Sequence, residues 1–137
     1  MNRLVLKFGG TSVANLERIA HVAEIVAARR AETRAIAVVV SAMSGTTNQL
    51  VEWTKGAAGP DLHGPDYDDE YDVVVASGEQ VTAGLLALAL RKKGLKARSW
   101  LGWQLQLRTD EAHGKARIMG CENPEFIRSV DSGEIAV

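Results

Sequence analysis

Three short segments carry residue types able to bind and move a charged group. The first is Lys7-Phe8-Gly9-Gly10-Thr11-Ser12. Paired glycines let the backbone turn sharply and approach a ligand closely. Successive exposed N–H groups form an anion-binding nest, to which the hydroxyls of Thr11 and Ser12 can add donors. An ammonium fixed beside such a nest stabilises charge on a phosphoryl group in transfer. The plainer reading is a tight strand-to-helix turn with Lys7 as a surface cation, and spacing alone does not separate the two. The second segment is Ser41-Ala42-Met43-Ser44-Gly45-Thr46-Thr47-Asn48. It leads into a helix whose N-terminus would favour a carboxylate or phosphate; an ordinary Ser/Thr N-cap is the alternative. The third is Ser77-Gly78-Glu79-Gln80. A glutamate in the first turn of a long apolar helix commonly complements the helix dipole, but the same carboxylate could receive the ammonium group of an amino acid.

Positioning these segments requires a βαβ frame. Arg3 to Phe8 reads as an aliphatic strand ending at Gly9-Gly10. Asn15 is placed to cap a helix running to about Glu32, with Leu16, Ile19, Ala20, Ala23, Val26 and Ala27 on one face. Ala35 to Val40 is a continuous apolar run, as in a parallel strand buried on both faces. A helix follows from about Thr47 to Lys55. The two polar loops then leave the carboxyl ends of successive strands, the edge at which open α/β sheets bind ligands.

Beyond the frame, Gly56 to Asp69 reads as an exposed linker within the domain, out to residue 70, and Asp66 to Asp72 as a solvated acidic loop. Tyr71 to Ala76 has strand propensity by composition. A helix from near Glu79 to Lys93 should stop at Gly94. Leu95 to Leu101 reads as a strand, followed by strands around Leu105–Thr109 and Ala116–Met119 and a helix from Pro124 to about Val130. Ile135-Ala136-Val137 enters a strand, from which we expect a domain cut short with an open sheet edge.

Composition limits the partners. With 137 residues, 46% hydrophobic and 24% charged, the chain can bury one core. A net charge of −1 gives no bulk attraction to nucleic acid or an anionic membrane. The apolar run Val81 to Leu90 is too short to cross a bilayer. Cys121 is alone, which excludes an internal disulfide and suits, as a buried thiol, the cytoplasm. His21, His63 and His113 lack metal-ligand spacing, so no metal site is expected. Trp53, Trp100 and Trp103 read as core or partner-facing anchors. Walker A and G-x-G-x-x-G motifs are both missing.

KFGGTS, VVVSAMSGTTNQL and ASGEQVTAGLLALAL, in this order and followed by HGKARI, resemble the aspartate kinases of the amino acid kinase family. The resemblance covers nearly the whole chain. It implies a three-layer α/β/α sandwich with a mainly parallel sheet, and transfer of the γ-phosphoryl of ATP, with Mg2+, to the side-chain carboxylate of L-aspartate. By it Lys7 would be catalytic and touch the phosphoryl group, with Gly9, Gly10, Thr11 and Ser12 around the phosphates. Ser41 would stand where phosphate and substrate meet, Thr47 would bind aspartate, and Glu79 would pair with its ammonium. It also implies that residues 71–76 are helical, that the enzyme is a homo-oligomer, and that later nucleotide-binding and regulatory ACT segments lie outside these 137 residues. Phosphorylation of glutamate, acetylglutamate, carbamate or a nucleotide, or a non-catalytic binding module, are the alternatives.

Overall fold

The computed structural model describes residues 2–59 and 64–137. Strand β1 (Arg3–Phe8) lies parallel to β2 (Ala35–Val40), in register from Arg3 opposite Ala35 to Phe8 opposite Val40. Between them runs α1 (Leu16–Arg29). It starts where the Asn15 side chain accepts a hydrogen bond from the Arg18 N–H at 2.9 Å, satisfying one of the helix's free N-terminal donors. α1 buries Ile19, Val22, Ala23 and Val26.

Helix α2 (Thr46–Ala58) follows β2, and α3 (Pro65–Lys92) is the long central helix. After α3 come β3 (Ala97–Arg98), an antiparallel hairpin of β4 (Leu107–Thr109) and β5 (Ile118–Cys121), α4 (Pro124–Asp131) and β6 (Ile135–Ala136). The main sheet has the order β1-β2-β6-β3, parallel throughout.

Because side chains alternate across a strand, β2 serves two cores. Ile36 and Val38 join Leu4, Leu6, the inner face of α1, and Leu86 and Leu90 of α3. Ala35 and Ala37 face the other way, against Trp100 and the Val130 and Phe126 side chains of α4. Trp100 meets Phe126 edge-on at 5.4 Å, and the Arg98 guanidinium lies 4.0 Å from the Trp100 ring centroid. Helices on both faces of a parallel sheet give the expected three layers.

Several elements differ from expectation. Gly56 to Ala58 belong to α2, and α3 already begins at Pro65, so most of the supposed linker is helix; residues 60–63, His63 among them, lie outside the described residues. Tyr71 to Ala76 are helical, as the resemblance implied and against their composition. β-branched valines there pack within a helix whose tertiary contacts override propensity. The acidic run is therefore a helical turn rather than a loop. Asp72 accepts a hydrogen bond from the Gly114 N–H at 2.9 Å and lies 3.5 Å from His113 Nδ1, fastening the loop after β4 to α3. α1 ends at Arg29, three residues early, and the strand expected over Leu95–Leu101 is only two residues long. β6 lies between β2 and β3, so the sheet's edges are β1 and β3, and the last residues form no edge. Cys121 is exposed rather than buried. By length and composition α3 could cross a membrane, yet Leu86 and Leu90 are fully buried in the core.

Candidate active site

The three chemical segments meet around one small residue, Ala42. Its carbonyl oxygen would lie 3.1 Å from any Cβ added at Gly10, so the first loop passes this close only because Gly10 has no side chain. The Ala42 N–H donates to Glu79 Oε1 at 3.2 Å. Its methyl group would stand 2.9 Å from a Cβ added at Gly78, a position that would also crowd Leu50 Cδ1 at 3.2 Å. Ser41 completes the junction by donating its N–H to the Phe8 carbonyl at 3.2 Å, which prolongs the β1–β2 ladder into the loops. Ala42 is buried and carries no functional group, so residue chemistry gave no reason to single it out. The only signal was its place inside the second polar loop.

In the first loop Ser12 N–H donates to the Gly9 carbonyl at 2.9 Å and Val13 N–H to the Gly10 carbonyl at 3.3 Å. The turn therefore occupies the Ser12 amide, leaving its hydroxyl as that residue's contribution to a ligand. Lys7 is exposed at the carboxyl end of β1, opposite Val39 in register, and has no ion-pair partner among the described residues. An ammonium with no ion-pair partner among the described residues is available to an anion.

The second loop ends at Gly45, whose φ of +82° places it in the left-handed region that a residue with a Cβ adopts only at a cost. Gly45 occupies the N-cap of α2, and no side chain caps the helix. The ordinary Ser/Thr cap is thus not what this loop forms. The positive end of the α2 dipole, with Thr47 exposed in its first turn, opens at the same sheet edge as the glycine loop.

Glu79 lies in the interior of α3, fifteen residues or so from its start, so the helix-dipole reading fails. Its carboxylate is exposed, and one oxygen receives the Ala42 N–H. Thus Gly9, Gly10, Ser41, Ala42 and Glu79 share one junction, with Lys7, Thr11, Ser12 and Thr47 on the elements that leave it. Among the described residues no group of three or more His, Cys, Asp or Glu could hold a metal ion.

Beside the junction is a cavity of about 310 Å³ over the ends of β2 and β6. Val39, Leu101, Trp103 and Phe126 line it, with Glu79 and Gln80 on the α3 side. Trp100, also in its wall, has a buried Nε1 with no hydrogen-bond partner. Trp100 serves as the core anchor expected from the sequence, whereas Trp103 is largely exposed.

Comparison with known proteins matches residues 2–136 to the Amino acid kinase family. The chain is 43% identical over all of its 137 residues to an aspartate kinase of Pseudomonas fluorescens, of which it covers 32%. In structure, 99% of it superposes on 21% of the aspartate kinase from Synechocystis, at a TM-score of 0.81 and 32% identity. It also matches E. coli aspartokinase III, solved with aspartate and ADP, at a TM-score of 0.76 and 19% identity, over 98% of this chain and 40% of that one. The chain spans a third or less of the curated relatives it matches.

Proposed function

We propose, from the premise that this chain belongs to the amino acid kinase family, that it supplies the phosphate loop and acceptor side of an aspartate kinase. The reaction joins a side-chain carboxylate oxygen of L-aspartate to the γ-phosphorus of ATP and breaks the bond from that phosphorus to the β–γ bridging oxygen. The products are 4-phospho-L-aspartate and ADP. The observation that carries this reading is the convergence on Ala42, in the loop that leads into the uncapped α2, where the glycine loop and Glu79 come within contact of one residue. Phosphoryl transfer needs positioning and charge stabilisation more than covalent chemistry from the protein, and these are what such a junction offers.

In this reading Lys7 touches the transferring phosphoryl group and offsets its charge. Gly9, Gly10 and Thr11 turn donors toward the phosphates, and the Ser12 hydroxyl adds another. Ser41 stands between phosphate and acceptor, and Thr47 holds the aspartate carboxylate at the α2 N-terminus. Glu79 keeps one oxygen on Ala42 and offers the other to the ammonium of the substrate. The described side chains do not make a metal cage, so Mg2+ would be carried by the triphosphate, as that ion commonly is. The enzyme is placed in the cytoplasm and works as a homo-oligomer. The 137 residues alone bind ATP weakly and do not turn over, because gripping phosphates without anchoring the base forfeits much of the proximity advantage.

A chimera tests the proposal. This chain replaces the matching first third of the Pseudomonas fluorescens aspartate kinase, and ADP release is measured with aspartate and with other acceptors. Aspartate-dependent ADP release is expected. A folded chimera that phosphorylates glutamate, acetylglutamate, carbamate or a nucleotide in preference, or nothing at all, overturns it.

A further inference from the structure

Two contacts fix the spacing of α2 and α3. Away from the junction, Tyr67 Oη donates to Thr54 Oγ1 at 2.8 Å. Nearer the junction, α3 offers no side chain at all. Gly78 is buried, and a Cβ added there would lie 2.9 Å from Ala42 Cβ, 3.2 Å from Leu50 Cδ1 and 3.5 Å from Thr46 Cγ2. Glycine is a poor residue for a helix interior, and here the approach of three neighbours requires it. Gly84, further along the same helix, would meet nothing within 4 Å.

The residues on either side of this contact are sequence neighbours of the two groups that the proposed function sets at the ends of the acceptor. Glu79, for the ammonium, follows Gly78, and Thr47, for the side-chain carboxylate, follows Thr46. How closely α2 and the Ala42 loop approach Gly78 therefore sets how far apart those two groups stand. Aspartate and glutamate carry the same charged groups and differ by one methylene. That methylene lengthens an extended side chain by about 1.3 Å, the projection of a C–C bond of about 1.5 Å. A methyl group on Gly78 would have to retreat from 2.9 Å to an ordinary carbon–carbon contact of about 3.5–4.0 Å, a widening of about 0.6–1.1 Å. The two lengths are of the same size. Because Tyr67 and Thr54 hold the helices together further out, the widening opens the junction end.

We propose that the contact of Gly78 with Ala42 and the first turns of α2 gauges acceptor length, admitting a side chain with one methylene and rejecting one with two. Gly78 and Ala42 are positioning residues, acting through where they put Glu79 and Thr47. The proposal rests on the aspartate kinase reading and deepens it. The bonds made and broken stay the same for either acceptor: a side-chain carboxylate oxygen takes the γ-phosphoryl and ADP leaves.

The chimera described above is assayed for ADP release with aspartate and with glutamate, and the readout is the ratio of the two kcat/KM values. Gly78→Ala should move that ratio towards glutamate by about tenfold or more, the discrimination that one methylene typically carries. Ala42→Gly added to Gly78→Ala leaves one methyl group at the contact instead of two, and should return the ratio to within about threefold of wild type. Gly84→Ala, on the same helix with open space around it, should leave the ratio unchanged. Far-UV circular dichroism checks folding. If Gly78→Ala does not fold, Ala42→Ser, which enlarges the contact by one atom, decides by a shift in the same direction. A wild-type chimera without aspartate-dependent ADP release overturns the aspartate kinase reading and the gauge with it. An active wild type whose Gly78→Ala variant loses aspartate and glutamate activity by the same factor overturns the gauge alone. So does a shifted ratio that Ala42→Gly fails to reverse, or an Ala42→Ser variant with the wild-type ratio.

Discussion

Glu79 Oε1 and the Ala42 N–H are 3.2 Å apart, and this single bond ties the central helix to the loop that follows the second strand. It also divides the work of the carboxylate, with one oxygen held by the backbone and the other free for a ligand. Glu79→Gln keeps an oxygen for Ala42 and loses the charge. In the chimera it should raise the aspartate KM roughly 10- to 100-fold, the about 1.5–3 kcal/mol of a hydrogen bond to a charged group, and leave the ATP KM unchanged. Glu79→Ala should show the same defect and also lower stability by about 1 kcal/mol in urea denaturation, because the Ala42 N–H loses its acceptor. An ATP KM that rises while the aspartate KM stays put would remove Glu79 from the acceptor site.

Two glycines on adjoining helices should respond in opposite directions. Gly78→Ala puts a methyl group 2.9 Å from Ala42 Cβ and 3.2 Å from Leu50 Cδ1. Such overpacking costs about 1–3 kcal/mol, and the shift of α3 should also carry Glu79 out of reach. Gly56→Ala, inside α2 with nothing within 4 Å of the new atom, should stabilise the chain by about 0.5–1 kcal/mol. Urea midpoints of the two variants check the pair. Equal shifts would mean that the close approach at Gly78 is not a constraint.

What could be read from the sequence followed from local physics. Asn15, the apolar Ala35–Val40 run and Gly94 mark a cap, a doubly buried strand and a helix stop, and each of these signals acts within a few residues. The start of α3 could not be read this way. Tyr71 to Ala76 are rich in valine, and their helicity depends on distant contacts, such as Tyr67 Oη donating to Thr54 Oγ1 at 2.8 Å and Asp72 holding Gly114. Misplacing that start made Glu79 look like a first-turn residue. The position of β6 was equally hidden, because the order of strands in a parallel sheet is set by crossovers and not by the strand's own residues. In the site, residue type pointed to Lys7, the glycines, Ser41, Thr47 and Glu79, but not to Ala42, whose role is to leave room.

Acid sensitivity should centre on the base of the sheet. Arg3 Nε and Nη2 donate to the two carboxylate oxygens of Asp131 at 2.8 Å each, joining β1 to the end of α4. The hydrogen bond from Arg3 lowers the Asp131 pKa below its ordinary 3.8. A carboxylate with a depressed folded-state pKa contributes stability that is present above its unfolded value and lost as pH falls through the folded one. Wild type should therefore exceed Asp131→Asn by a constant margin above about pH 4, and the margin should vanish at lower pH. The pair is exposed, so the margin is small. Thermal unfolding of both proteins from pH 2 to 7 measures it, and a margin that grows on acidification would contradict the assignment.

Lys7 is the residue on which the proposed chemistry depends most. It stands exposed at the end of β1, beside the glycine loop and without an ion-pair partner among the described residues. A purely structural lysine would be worth little there, since exposed charges typically contribute 0–1 kcal/mol. A lysine that meets the transferring phosphoryl group acts when charge shifts in the transition state, where one electrostatic donor is worth about 10²–10³ in rate. Lys7→Ala in the chimera should therefore lower kcat by about that factor, with an aspartate KM within roughly threefold of wild type, the signature of an interaction made in the transition state alone. Lys7→Arg keeps the charge but not the compact geometry, and should recover only part of the loss. If Lys7→Ala instead retains kcat and raises the aspartate KM, the lysine serves the acceptor rather than the phosphoryl group.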